Sequence, residues 1–175
     1  MSEPVKQIVR FILFILAQAL VLNNVPPLHQ FVAPLLYFLF LIWLPFTVSR
    51  SWMLILGFIT GFSLDMFSKT PGLHASACLM LAYLRTPMIA LLVPKETAEL
   101  KSGSPSIRSM GFASYAFFVV ILTFVHHAWL VMLEWMTFAS FTYFLGKVFF
   151  TTLMSLLLIA VSEWLFRPIK KRRIE

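Results

Sequence analysis

Six apolar runs, at about 6–23, 31–47, 52–68, 72–93, 112–135 and 142–166, dominate this sequence. Each has the roughly 17 to 25 residues that a helix needs to cross a hydrocarbon layer about 30 Å thick. Inside hydrocarbon a chain must satisfy its own backbone donors and acceptors, so runs of this length predict helices. The composition agrees: 60% of the residues are apolar and 12% are charged, about half the charged share of a soluble domain. A soluble enzyme, a disordered chain, a disulfide scaffold and an outer-membrane barrel are excluded. The expectation is one all-α polytopic integral membrane domain over 1–175, with six transmembrane helices.

Turn chemistry separates the runs. Asn23-Asn24-Val25-Pro26-Pro27 ends the first, Pro45 closes the second, and Ser68-Lys69-Thr70-Pro71-Gly72 makes a tight turn between the third and fourth. Orientation follows from the basic residues. With the N-terminus inside, Lys6, Arg10, Arg50, Lys95, Lys101, Arg108, Arg167, Lys170, Lys171, Arg172 and Arg173 fall on the cytoplasmic side, against Lys69 alone in the outer loops. That bias puts both termini in the cytoplasm. The net charge of +7 is thus a membrane-orientation signal, and no nucleic-acid partner is implied. Ala17-Gln18-Ala19 mimics a signal-peptidase site, but the apolar run continues past it and the span is expected to be retained. The segment 94–111 reads as a cytoplasmic loop and 167–175 as a basic cytoplasmic tail lying on anionic lipid headgroups. The lone Cys78 is read as a small packing residue.

An ionisable side chain in hydrocarbon is a functional candidate by default. Asp65 lies near the outer end of the third run. By depth, His74, His126, His127, Glu134 and Lys147 also fall in the outer half. Asp65 is read either as a structural carboxylate that accepts bonds from the turn near Thr70 and Gly72 or as a functional group, and Asp65 with Lys147 forms a conceivable interhelical ion pair. No pair of these residues has the four-residue step that places two metal ligands on one helix face, so neither metal nor cofactor is expected. No catalytic residue is expected either, since no Ser/His setting and no second intramembrane aspartate appears. Arg85, in Leu84-Arg85-Thr86-Pro87, is expected to anchor at the inner interface by snorkelling, with Pro87 breaking the helix. Glu163 and Arg167 are four apart and read as an ion pair. Gly57 and Gly61 form a small-xxx-small face for close helix packing.

The stretch from Gly57 through Gly61, Asp65, Pro71-Gly72 and His74-Ala75 resembles the core of the rod shape-determining MreD family of bacteria. The proline-terminated first run and the Leu84-Arg85-Thr86-Pro87 ending are similar to that family as well; together these features cover about the first 95 residues. The resemblance implies a non-enzymatic component of the cell-elongation machinery in the bacterial inner membrane. Its partners would be an MreC-like bitopic protein, with the actin-like MreB, a SEDS glycosyltransferase and a class B penicillin-binding transpeptidase. The family is similar in fold to the substrate-binding subunits of energy-coupling-factor vitamin transporters. By the resemblance, Asp65, Gly72 and His74 belong to the outer face, where they order a loop or meet a partner. The competing reading is a small-molecule binding or transport subunit with Asp65, His126, His127 and Lys147 lining an outer cavity. A filled outer region favours the scaffold and an open one the transporter.

Overall fold

Five of the six apolar runs form long helices in the computed structural model, which describes residues 3–26, 30–93, 103–134 and 140–166. Helix α1 (Glu3–Leu16) continues through a π-helical turn (Ala17–Val21) and a 3-10 turn (Leu22–Asn24). The other four are α3 (Arg50–Ser68), α4 (Leu73–Leu92), α6 (Phe112–Glu134) and α7 (Phe141–Phe166). All five are long and apolar enough to cross a membrane, as in a helical membrane protein. Two short helices, α2 (Leu39–Trp43) and α5 (Ile107–Met110), complete the described residues, among which there is no strand. The 94–102 part of the expected loop, the basic tail and Arg167 lie outside the described residues. In the packing order, α3 lies on α4, α4 on α6 and α6 on α7.

The helix ends follow their local chemistry. Ser49 caps α3, its hydroxyl accepting from the Trp52 amide. Lys69 ends α3 in the left-handed conformation at φ 56°, and Gly72 opens α4 at φ 87°, a backbone state that glycine adopts without a Cβ penalty. Pro87 does not break α4, contrary to the sequence expectation; the helix continues to Leu92. Ala77, Cys78, Leu81, Ala82 and Arg85 are buried along its length, and this tertiary packing holds the helix across the one hydrogen bond that proline removes.

The second run, 31–47, is the departure. Only Leu39–Trp43 is helical there; the rest is irregular chain and turns. Tyr37 through Leu44 are all buried, none above 4% exposed, and they form the centre of the core. The strip nevertheless travels the length of the bundle. At one end Phe31 packs on Tyr143 and Phe150 near the start of α7. At the other, the Trp43 indole donates to Glu163 near the end of α7. It is threaded between helices instead of being one of them.

Non-helical backbone at such depth needs outside partners, and the fold supplies them. Gln18, fully buried in the π-helical turn, donates to the Pro34 carbonyl at 2.9 Å and accepts from the Leu36 and Tyr37 amides at 2.7 and 3.4 Å. The Thr151 hydroxyl donates to the Phe31 carbonyl at 3.1 Å. Arg85 donates to the carbonyls of Leu44 and Pro45. This corrects the snorkelling expectation: Arg85 is 1% exposed and closes the end of α2, whose last carbonyls have no intrahelical partner.

Candidate functional site

The polar residues singled out by depth converge at the end of the bundle where α3 turns into α4, around Tyr37 of the threaded strip. Asp65, 1% exposed, sits four residues before the left-handed Lys69. From there its carboxylate reaches across the turn to the start of α4. Oδ2 accepts from the amides of Gly72 (3.1 Å) and Ala75 (3.0 Å). Oδ1 accepts from the His74 amide (2.9 Å), His74 Nδ1 (3.0 Å) and the Thr70 hydroxyl (3.2 Å). Five donors thus satisfy one carboxylate. An anion at a helix N-terminus also meets the positive end of the helix dipole. Asp65 is therefore the N-terminal cap of α4, supplied by the preceding helix.

Gly57 and Gly61 bring α3 close enough for this. A Cβ on Gly61 would lie 2.3 Å from the His74 carbonyl oxygen and 2.4 Å from Ala75 Cα; one on Gly57 would lie 2.9 Å from Ala82 Cβ. The small face expected from sequence packs within the chain, against α4. Close approach, carboxylate and left-handed turn make one structural unit.

Beside it runs a second polar group. The Tyr37 hydroxyl lies 2.9 Å from His126 Nε2, His126 Nδ1 lies 3.2 Å from His127 Nδ1, and His127 Nε2 lies 2.9 Å from Ser155 Oγ. All four side chains are fully buried. The His126 ring stacks on Phe38 at 4.5 Å between centroids, and Tyr37 meets His74 edge to face at 5.5 Å. Adjacent histidines are both buried because α6 packs between α4 and α7, with its exposed side at this level carried by Phe124 and Val120 instead.

Lys147 does not pair with Asp65. It pairs with Glu134 at 2.7 Å, on a rim where Glu134 is 44% exposed. At the opposite end Glu163 accepts from Tyr115 and from Trp43, which ties α6, α7 and the strip together. The Arg167 partner expected for Glu163 lies outside the described residues.

Chemically, this cluster is closed. Both oxygens of Asp65 are taken by donors, and three of the four ring nitrogens of the histidine pair are directed at one another or at Ser155, the fourth at Tyr37. Among the described residues no three His, Cys, Asp or Glu side chains gather as a metal site. A groove of about 350 Å³ lies elsewhere, between α1, α3 and the end of the strip; Ile8, Phe11, Phe40, Leu44, Val48 and Ile59 give it apolar walls. Sequence reasoning missed Tyr37, Gln18 and Ser155. Gln18 had a signal, as an amide within an apolar run; Tyr37 and Ser155 had none, because both are ordinary residues of membrane helices.

Comparison of this chain with protein-family models, with curated proteins and with solved structures found no match.

Proposed function

We propose that this chain is a non-enzymatic membrane component of the bacterial cell-elongation machinery, of the MreD kind. It sits in the inner membrane, binds an MreC-like bitopic protein and helps organise peptidoglycan synthesis. In this reading the five long helices and the threaded strip make six crossings, with both termini cytoplasmic and the Asp65 end facing outward. The carrying observation is that the residues of the resemblance, Gly57, Gly61, Asp65, Gly72 and His74, act together on one structural task, closing α3 onto α4. A carboxylate with five donors is a fastening, and it leaves no lone pair for a substrate. The exposed turn at Lys69, Pro71 and Gly72, held rigid from beneath, is the surface offered to the extracytoplasmic part of the partner.

The test is affinity purification of the chain from its native membrane in mild detergent, with identification of the bound proteins. Recovery of an MreC-like bitopic protein with wall-synthesis enzymes is expected. Recovery of an ATPase pair with a coupling membrane subunit would overturn the reading in favour of a vitamin-transporter-like subunit.

A further inference from the structure

The groove between α1, α3 and the end of the strip takes no part in closing α3 onto α4, and its dimensions limit what can enter it. It runs from Glu3 and Val48, beside the first turns of α1 and α3, inward to Phe11 and Ile59. At 1.5 Å per residue, Glu3 to Phe11 is about 12 Å, close to half of a hydrocarbon layer about 30 Å thick. Spread over that length, a volume of about 350 Å³ gives a cross-section of about 30 Å², whereas a helix 10 Å across occupies about 80 Å². A partner's transmembrane helix is too wide. A single hydrocarbon chain fits: about 150 Å³ of apolar cavity holds benzene, so this groove has room for about a dozen chain carbons. Ile8 on one wall is 58% exposed and Ile59 on the other 43%, so the groove opens sideways, toward lipid. Leu44 and Pro45 are part of its lining, and Arg85 holds their carbonyls from behind.

The polar groups at the mouth select the headgroup. Glu3 and Gln7 both line the groove and, four residues apart, share one face of α1. Gln7 Oε1 is buried and has no hydrogen-bond partner among the described residues, a state that costs free energy until a donor arrives. The Glu3 carboxylate is exposed and pairs with the exposed Lys6 at 2.6 Å. A carboxylate and an amide oxygen only accept. The ester and phosphate oxygens of a lipid only accept as well, so they cannot satisfy this pair; a primary ammonium, with three donors, can. Lys6, beside Glu3, is the donor for the phosphate. We propose that this groove is a binding site for one aminophospholipid of the adjoining leaflet, with an acyl chain lying between α1 and α3, the ammonium on Glu3 and Gln7, and the phosphate on Lys6. The bound chain rests on Leu44 and Pro45 and so backs the end of the threaded strip on the side opposite Arg85. The site is independent of the partner proposed above.

The test places the full chain in nanodiscs of equal parts phosphatidylethanolamine, phosphatidylcholine and phosphatidylglycerol with identical oleoyl chains, releases it into mild detergent and counts retained lipid by native mass spectrometry. One retained phosphatidylethanolamine per chain is expected, favoured about tenfold over phosphatidylcholine, whose trimethylated ammonium has no N–H to donate. Gln7→Leu should keep a lipid but lose most of that preference. Ile8→Trp, a change at an exposed wall residue that fills the groove, should abolish retention. No retained lipid, equal retention of the three headgroups, a preference for phosphatidylglycerol, or full retention by Ile8→Trp would each overturn the proposal. A second measurement needs no variant: phosphatidylethanolamine carrying a photoreactive diazirine midway along one chain should label wild type on α1 and α3 between the levels of Gln7 and Ile59. Labelling confined to other helices would overturn the proposal as well.

Discussion

Gly61→Ala should open the α3–α4 contact, and the structure sets the scale. The new Cβ would stand 2.3 Å from the His74 oxygen, 2.4 Å from Ala75 Cα and 2.5 Å from Ala75 N. All three are backbone atoms and cannot swing aside. Reaching ordinary carbon contact requires the helices to part by about 1 Å. Asp65 is one turn further along the same helix, and its bonds to α4 amides are 2.9 to 3.1 Å long; an added ångström takes them out of hydrogen-bond range. Overpacking costs about 1–3 kcal/mol, and each hydrogen bond to a charged group contributes about 1.5–3 kcal/mol. A destabilisation of at least about 3 kcal/mol follows from combining the two effects. Cys78 supplies the assay. It is the one cysteine of the chain and is fully buried in α4, so its reaction with a maleimide in mild detergent reports opening. At about 1.4 kcal/mol per tenfold, Gly61→Ala should label roughly a hundred times faster than wild type. Gly57→Ala meets Ala82 Cβ at 2.9 Å and the Cys78 backbone oxygen at 3.0 Å, contacts that also force α4 to shift but by less than the 2.3 Å contact at Gly61, and should label at a rate between Gly61→Ala and wild type. Gly146→Ala meets the Phe31 ring at 3.7 Å, an ordinary contact, and should label like wild type. A wild-type rate for Gly61→Ala, or any other order among the three, would refute the close-approach argument.

Asp65→Asn keeps an acceptor oxygen but turns an amide toward backbone donors. It should insert normally, lose about 2–3 kcal/mol and show faster hydrogen exchange at Gly72, His74 and Ala75; in a complemented strain, an unchanged rod shape would count against any role for this carboxylate in cell elongation. Arg85→Met strands the Leu44 and Pro45 carbonyls and should lower the thermal unfolding midpoint. Arg85→Lys, able to reach only part of the same acceptors, should fall between Met and wild type, and equal midpoints for all three would show that the guanidinium does not hold the strip. Glu134→Gln, which breaks a rim pair with Lys147, should change stability by less than about 1 kcal/mol; a larger loss in detergent unfolding would mean that the pair is shielded from solvent.

Hydropathy read the helices of this chain well because lipid-facing and core-facing surfaces are both apolar, so a long run sufficed at α1, α3, α4, α6 and α7. It failed at 31–47 for the same reason. An apolar run reports an apolar environment and says nothing of conformation when the whole circumference is buried, as it is from Tyr37 to Leu44. Pro34 and the prolines at 26 and 27 were the available hint, since each removes a donor and biases its neighbour toward extended backbone. Arg85 was misread because its acceptors come from residues 40 and 41 positions earlier in the chain. A charge near a helix end suggests headgroups until such carbonyls are known. The carboxylate at Asp65 was legible as a local structural group, for its donors lie five to ten residues away. The histidines were legible as polar residues inside an apolar run, but their mutual geometry depended on Tyr37 and Ser155 in other elements.

The threaded strip also constrains the order in which the molecule can be assembled. Ribosomal synthesis delivers residues 31–47 long before the side chains that complete their surroundings: Tyr115 follows its partner Trp43 by 72 residues and Thr151 follows Phe31 by 120. During that interval the non-helical backbone of the strip lacks the side-chain partners that later satisfy it. The contacts that fix the strip can therefore form only after α6 and α7 have been made, so the core around residues 37–44 is the last part of this fold to close.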